Sequence, residues 1–379
     1  MCGSLEPSSD GVGDYTRRLA GELIRVGHYV ALAAINDGKI LSTSEDYQYD
    51  GLTKIPVLRI PSSFTNGKRS HLLATWFGHF SPDMISLQYV PYSFSKYGIP
   101  ISLGKYLRKL NSSSLWHVMV HEPYLGNGKK EWKSRIINYL QIFSLHQLKK
   151  NLKPILIHTS IPQYQKLLHD IKIKSKILGL FGNVEMNGSH QKSVKNKAMD
   201  NDIIKGIYFG SAPQKSHQNL IADEIRDFCE LNQVKLKLIF CGKSGTLGEE
   251  FISTIQKAFA GKTCEIINLG KLPVKELSNL FYSSDFGISR VSPVLVGKSG
   301  SAISMLEHGL PIWVPVGKEN LISENIDFRP ELCFQNLSEL GNSIFKANPI
   351  DRLPEISQQF LSDIKELDDF KLNESTIKI

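Results

Sequence analysis

Two stretches carry residue types and spacings able to hold an anion on the backbone. Gly11-Val12-Gly13-Asp14 opens a basic amphipathic helix that continues Tyr15-Thr16-Arg17-Arg18, and Lys298-Ser299-Gly300-Ser301 opens another helix in the far half. The first amides of a helix lack partners and sit at its positive dipole end, and glycine lets phosphate or sugar approach the backbone, so anionic ligands are expected at both. In the second stretch the amides of Ser299, Gly300 and Ser301 can cradle a diphosphate that Lys298 neutralises. Glu307 lies two turns on, nearly on the face of Gly300, where a carboxylate can take both hydroxyls of a ribose; the plainer reading is a solvated helix glutamate. His121-Glu122-Pro123-Tyr124 ends an apolar run, and ligands of a parallel sheet gather at the carboxyl ends of its strands. There His121 can hydrogen-bond a sugar hydroxyl and Glu122 can do acid or base work, although a strand-end histidine satisfied by backbone fits equally well.

Such turns need a scaffold of strand, turn and helix, and the chain repeats that rhythm. Short apolar and β-branched runs at Tyr29–Ile35, Ile55–Ile60, Met84–Tyr89, Leu115–His121 and Ile155–Thr159 alternate with helical patterns. After Ile177–Phe181, the polar stretch Asn183–Asp202 reads as a linker. The rhythm restarts with Ile203–Phe209, Leu236–Cys241, Glu265–Leu269, Phe286–Ser289 and Pro311–Val314. The expected fold class is α/β, with two Rossmann-like domains facing a central cleft: residues 1–182, a linker 183–202, residues 203–350, and a helical tail 351–379 packing back on the first domain. A length of 379 residues suits two cores at roughly 150 residues per domain. Met1-Cys2-Gly3-Ser4-Leu5 runs abruptly into the loop that should follow a first strand, so that strand is expected to be short or curtailed.

Composition narrows the function classes. With 41% hydrophobic and 22% charged residues and no long apolar run, the chain reads as a soluble globular protein without a membrane span or secretory leader. Five scattered cysteines with no CxxC pair indicate neither a disulfide framework nor a zinc site, which fits a reducing cytoplasm. A net charge of +8 favours acidic partners, but the basic clusters lack interleaved aromatics or a recognised motif, so nucleic acid is not expected. The Gly-x-Gly turn lacks a third glycine and no acidic residue is read at the end of the next strand, which disfavours NAD. Asp200-Asn201-Asp202 has the Asp-x-Asp form of a metal site but sits in the polar linker, so no metal is expected. The segment Glu131–Leu148 puts Trp132, Ile136, Leu140 and Phe143 on one helical face between Lys129-Lys130 and Lys149-Lys150. That suits a helix lying on a membrane surface and equally a core helix, the commoner case.

The Gly-Val-Gly-Asp-Tyr-Thr-Arg-Arg-Leu-Ala opening, the His121-Glu122 strand end, the Phe209-Gly210-Ser211 loop and the Lys298–Pro311 stretch closing in Glu-His-Gly-Leu-Pro together resemble the GT-B glycosyltransferases, especially the retaining family 4. The resemblance implies a C-terminal domain that binds a nucleotide-sugar, an N-terminal domain that binds the acceptor, and transfer without a metal or other cofactor. Carried over, it implies that Glu307 binds the donor ribose, that Lys298 and the Ser299–Ser301 amides hold the diphosphate and sugar, and that Lys215 supplies a second cation. Gly210 lies in the loop before Lys215, Gly270-Lys271-Leu272 seats the base, His121 contacts the transferred sugar, and Gly13 approaches the donor phosphate. The pattern departs at Ser299, where the family commonly has a first glutamate, and in the loop at Lys215, which lacks the usual arginine-lysine pair.

The expected activity is therefore transfer of a hexosyl group from a nucleoside diphosphate sugar to a hydroxyl of a glycan or lipid-linked acceptor in polysaccharide biosynthesis, in the cytoplasm or peripherally at the inner membrane face. A sugar-nucleotide epimerase or hydrolase on the same scaffold, and a non-catalytic or partner-dependent subunit, stay open.

Overall fold

The computed structural model describes residues 1–8, 10–110, 113–124, 132–187, 197–198, 203–213, 215–242, 245–259, 264–315, 326–340, 343–344, 346–367 and 378–379. The chain divides into two units, Met1–Gly179 with Leu353–Ile379, and Leu180–Arg352. The boundaries fall at 179/180 and 352/353 rather than at 182/183 and 350/351. The stretch read as a linker is not one throughout, because Val184 is buried and its amide donates to Ser304 Oγ at 3.2 Å. Asp200-Asn201-Asp202 lies outside the described residues.

The first unit runs α1 (Gly11–Arg25), β1 (Leu32–Asp37), β2 (Ser44–Asp50), β3 (Thr53–Pro61), α2 (Asn66–Phe80), β4 (Met84–Tyr89), α3 (Pro91–Phe94), α4 (Leu103–Leu110), β5 (Leu115–Val120), α5 (Trp132–Leu152), β6 (Leu156–Thr159), α6 (Pro162–Asp170) and β7 (Lys176–Ile177). Strands pair as β1-β3-β2 and as β4-β5-β6-β7. The short segment at Met1–Gly3 joins the two sets. Cys2 bridges Ala34 in parallel on one side, and the Gln88 amide donates to the Met1 carbonyl at 2.8 Å on the other. Lys378 bridges Tyr29 in the same slot, so the centre of this sheet is assembled from both ends of the described chain.

β2 escaped the sequence reading because it is polar and exposed, yet Asp50-Gly51 had a turn signature. It is the antiparallel edge partner of β3 across a two-residue loop in which Gly51 has φ +56. β1 ends in Asp37, so an acidic residue does stand at that strand end, contrary to expectation. Its carboxylate takes Arg59 Nε at 2.8 Å, Ser4 Oγ at 3.0 Å and the Leu5 and Lys39 amides, which commits it to the fold.

α5 also corrects the expectation of a core stripe. Its inward side chains are Asn138, Gln141, Ser144, Leu145, Leu148 and Leu152, while Trp132, Ile136, Tyr139 and Phe143 are exposed.

The second unit runs β8 (Lys197–Ala198), β9 (Ile204–Phe209), α7 (Lys215–Asn232), β10 (Leu236–Cys241), α8 (Gly245–Ala258), β11 (Cys264–Gly270), α9 (Val274–Ser283), β12 (Phe286–Ile288), α10 (Gly300–Glu307), β13 (Ile312–Trp313), β14 (Cys333–Phe334) and β15 (Ser343–Ile344). Its main sheet is parallel in the order β11-β10-β9-β12-β13-β14, the doubly wound arrangement, and β8 pairs antiparallel with β15. Side chains alternate across a strand, and the unit accordingly has two cores. Tyr208, Leu238, Phe240, Phe286 and Trp313 pack on one face; Ile207, Ile239, Cys241, Ile312 and Val314 pack on the other.

The chain then returns to the first unit as α11 (Leu353–Lys365), which buries Ile356, Phe360 and Ile364 there. Among the described residues no helix is long and apolar enough to cross a membrane.

Candidate functional site

In this doubly wound sheet the strand order reverses between β9 and β12, and ligands bind at the carboxyl ends there. In the second unit β9, β10 and β11 are each followed or closed by a glycine. Gly210, Gly242 and Gly270 have φ +116, +112 and +61, which side-chain-bearing residues seldom adopt. The three are stitched together: Gly210 N donates to Cys241 O at 3.0 Å and Gly242 N to Gly270 O at 2.7 Å. A Cβ on Gly242 would stand 3.1 Å from Gly210 N, so the bare backbone is a packing requirement as well as a conformational one. Gly270 N also takes Asn268 Oδ1 at 3.1 Å. A shallow concavity opens over this edge, lined by Tyr208, Gly210, Cys241, Gly242, Phe251 and Asn268 among others. Leu272 is half-buried and packs on the core face that holds Ile207 and Cys241. Burial pushes the Cys241 thiol up to about 12, so it is no thiolate nucleophile at neutral pH.

α10 brings its N-terminus to the same edge. Ser301 lies beside Gly210, its Oγ 3.7 Å from where a Cβ on that glycine would be. Ser299 is the N-cap, its Oγ accepting from Ala302 N at 3.4 Å and lying 3.1 Å from Ser301 Oγ. The expectation that the Ser299 amide faces a diphosphate is not met, because that amide donates to Val296 O at 2.9 Å. Lys298 ends the 3-10 turn Pro293–Lys298 immediately before the cap and is half-buried. Lys215 begins α7 and is exposed, with Nζ 2.8 Å from Glu250 Oε2.

Glu307 departs furthest from expectation. It is only 1% exposed, Oε1 accepts from Arg352 N at 3.3 Å, and Oε2 presses on Gly182 so closely that no side chain fits at that position. The carboxylate expected to take ribose hydroxyls is thus committed to the 180–184 segment and to Arg352. Gly300 has a matching reason: a Cβ there would lie 2.7 Å from the Asn183 side chain.

Sequence reasoning missed two members of this edge. Gly242 was legible as a third strand followed by glycine. Arg290, just beyond β12, donates from Nη1 to Ser211 Oγ at 2.7 Å, which places an exposed guanidinium across the β9/β12 switch point. It supplies a guanidinium beside the Gly210-Ser211 loop, which in sequence carries Lys215 but no arginine.

In the first unit His121 follows β5, is 7% exposed, and its Nε2 lies 2.9 Å from Gln88 Oε1. Its ring meets Tyr15 of α1 edge to face at 5.0 Å. Glu122 is exposed. The N-terminus of α1 carries its own anion: Asp10 is the N-cap, accepting from Val12 N at 3.0 Å and from the Gly13 amide. Burial raises the Asp10 carboxyl above its usual range, and those two amides oppose the rise. Gly13 is required by packing, since a Cβ would sit 2.8 Å from Ser4 O. Arg17 bonds to Asp14 and Gln48, and Arg18 and Arg25 face Asp50, so the basic face of this helix is neutralised by the protein itself. Among the described residues no group of three His, Cys, Asp or Glu side chains is arranged to hold a metal.

No known family model matches the chain, and no curated protein matches its sequence. Solved structures do match its fold. Sucrose-phosphate synthase from Thermosynechococcus elongatus aligns over 82% of this chain and 76% of its own, with TM-score 0.53 and 12% identity. Trehalose-6-phosphate synthase of E. coli, bound with UDP-2-fluoro glucose, aligns over 95% and 97%, with TM-score 0.54 and 10% identity. Anabaena HepE, in complex with UDP and glucose, aligns over 95% and 89%, with TM-score 0.50 and 11% identity. These likenesses establish the fold class, the two-domain α/β GT-B architecture of glycosyltransferases.

Proposed function

We propose that the chain is a glycosyltransferase that moves a hexosyl group from a nucleoside diphosphate sugar to a hydroxyl of a glycan or lipid-linked acceptor, with retention at the anomeric carbon and without a bound metal. The observation that carries this reading is the edge of the second unit. Three adjacent positive-φ glycines, the N-terminus of α10 and the Arg290–Ser211 pair stand together at the switch point of a doubly wound sheet. Such an edge offers backbone donors, a concave apolar wall and exposed cations, which is what a base joined to a diphosphate requires.

In this reading the cavity edge at Gly242, Gly270 and Asn268 takes the base, with Leu272 behind it. The Gly300 and Ser301 amides with Lys298, Lys215 and Arg290 take the diphosphate, whose growing charge as a leaving group these cations stabilise. Glu307 acts one step back: by accepting from Arg352 N and packing on Gly182 it keeps α10 in place. The first unit receives the acceptor, His121 being its candidate partner for a sugar hydroxyl. The two structures that hold UDP or a UDP-sugar make uridine the first base to try. The exposed Trp132, Ile136, Tyr139 and Phe143 of α5, interspersed with Lys133, Arg135, Lys149 and Lys150, favour a lipid-linked acceptor at the cytoplasmic membrane face.

The deciding experiment incubates the full chain with a panel of nucleoside diphosphate sugars, with and without a mixed glycan and lipid-linked acceptor preparation, and measures nucleoside diphosphate release and thermal stability. Release that requires acceptor, with a stabilising shift from one nucleotide, supports transfer. Conversion of donor alone identifies an epimerase or hydrolase, and absence of any shift identifies a non-catalytic subunit. Co-sedimentation with anionic vesicles at low salt tests the α5 face separately.

A further inference from the structure

A line of polar side chains crosses the buried face of the first unit's sheet. Ser86 and Gln88 are two apart on β4, and His117 and His121 are four apart along β5 and its end. His117 stands opposite Ser86, and His158 of β6 stands opposite Met119. Since residues two apart in a strand share a face, all five point the same way. They are buried, with Ser86 at 8%, Gln88 at 3%, His117 at 1%, His121 at 7% and His158 at 0% exposure. α11 covers them, its Phe360 ring 5.1 Å from His117 and 6.3 Å from His158.

The side chains join end to end. His158 Nε2 is 3.0 Å from Asp363 Oδ2, His158 Nδ1 is 3.1 Å from His117 Nε2, and His117 Nδ1 is 2.8 Å from Ser86 Oγ. Gln88 Nε2 donates to Ser86 Oγ at 2.8 Å, and Gln88 Oε1 is 2.9 Å from His121 Nε2. A neutral imidazole has one N–H and one acceptor nitrogen, and a carboxylate only accepts. The direction of every bond then follows from Asp363. His158 donates from Nε2 and accepts at Nδ1, so His117 donates from Nε2 and accepts at Nδ1. Ser86 therefore donates its hydroxyl proton to His117 and accepts from the Gln88 amide, which leaves the Gln88 oxygen to accept from His121 Nε2–H.

His117 and His158 are held neutral by their surroundings. Burial and then the neighbouring His158 hold His117 well below the usual histidine range. Burial lowers His158 as well, against the pull of Asp363 and with Lys176 opposing protonation. Lys176 bridges Asp363 at 2.8 Å and Glu366 at 2.7 Å, so a cation stands at the Asp363 end of the line.

We infer that Asp363, on the C-terminal helix, is a positioning residue that acts through His158, His117, Ser86 and Gln88 to fix His121 as its Nε2–H tautomer, with Nδ1 as the acceptor nitrogen. What that acceptor does for a sugar hydroxyl rests on the function proposed above; the tautomer does not. The line couples residues 205 apart in sequence to the ring at the strand end.

The test is the ring ¹H–¹⁵N spectrum of the histidine-labelled full chain at neutral pH, for wild type, Asp363→Asn and Ser86→Ala, with backbone amide spectra as the check on folding. Wild type is expected to show His158, His117 and His121 each as a single Nε2–H tautomer. Asp363→Asn replaces an obligate acceptor with an amide that can also donate, and is expected to give mixed tautomers at all three rings. Ser86→Ala cuts the line at its middle and frees the Gln88 amide to turn over, so His121 is expected to become mixed while His158 keeps its tautomer. A His121 ring carrying its proton on Nδ1 in wild type, or unchanged in both variants, overturns the proposal. If Asp363→Asn undocks α11, Ser86→Ala still decides. Because donor turnover is not read, failure of the transferase reading leaves this result standing.

Discussion

Each unit opens a helix with a small-residue turn, and the two are treated in opposite ways. In the first unit Asp10 puts a carboxylate on the amides of α1, and Asp14 and Asp50 take its arginines. In the second, α10 is capped by the neutral hydroxyl of Ser299, and Arg290 at the β9/β12 switch point stays exposed, bonded to a neutral hydroxyl rather than to a carboxylate. A helix N-terminus attracts an anion in either case. The first unit supplies the anion from its own sequence, and the second leaves the positive edge beside a cavity. A glycine-opened helix therefore signals a ligand only when the cap and the neighbouring charges do not already satisfy it.

The largest effect should come from removing one of the first unit's internal anions. Asp37→Ala leaves the half-buried Arg59 with Glu6 alone and strips the acceptor from Ser4 and from the Leu5 and Lys39 amides, and is expected to cost about 3 kcal/mol in chemical denaturation. A loss under about 1 kcal/mol, the range of surface pairs, would remove the contrast between the units. Burial pushes the Asp37 carboxyl up, but the Arg59 guanidinium and the Lys39 and Leu5 amides outweigh it and hold it below 3.8. Its contribution is accordingly complete above that value and is lost as pH falls through the lowered folded-state value.

Next in size is Gly242→Val. The residue must adopt φ +112 and crowd Gly210, which is expected to cost about 1 to 3 kcal/mol and to abolish the thermal shift given by a nucleoside diphosphate. Retention of that shift would remove the glycine edge from the proposed site.

The acid response of the first unit should be smaller. The unfolded chain takes up protons at histidine below 6.5, whereas burial lowers folded His117 and His158, which take them up only at lower pH. Stability contributed by their neutral burial is present above that pH and is expected to fall below it, by up to about 1.4 kcal/mol per pH unit per histidine. His117→Gln should flatten the slope; an unchanged slope between pH 6.5 and 5 would contradict it.

Arg290→Gln is expected to leave the unliganded melting temperature unchanged and to weaken nucleoside diphosphate binding about tenfold by calorimetry, as loss of a charged hydrogen bond would. The smallest effect is assigned to Lys215→Ala, whose exposed pair with Glu250 should contribute nothing measurable to stability.

How much was legible depended on how local the cause was. β4 at Met84–Tyr89 and β10 at Leu236–Cys241 stand where the apolar runs place them. The α/β rhythm, the turn at Gly300 and the apolar stripe of the C-terminal helix are equally local. β2 was missed because an exposed edge strand needs no apolar alternation. α5 was misread because its periodicity could not say which face turns inward, and the inward face proved to hold Asn138, Gln141 and Ser144. At the site, Gly210 and Ser301 stand side by side, while Arg290 gave no signal of its own.

By itself, then, the sequence determined the apolar strands, the helices and the two-unit α/β plan, because periodicity and turns are written in neighbouring residues. Only tertiary structure decided which polar groups are already satisfied. Glu307 meets Arg352 and Gly182, Asp37 meets Arg59, and His158 meets Asp363 across 205 residues. Whether a carboxylate or an imidazole can serve a ligand depends on which partner the fold brings within about 3 Å, and those partners are distant in sequence.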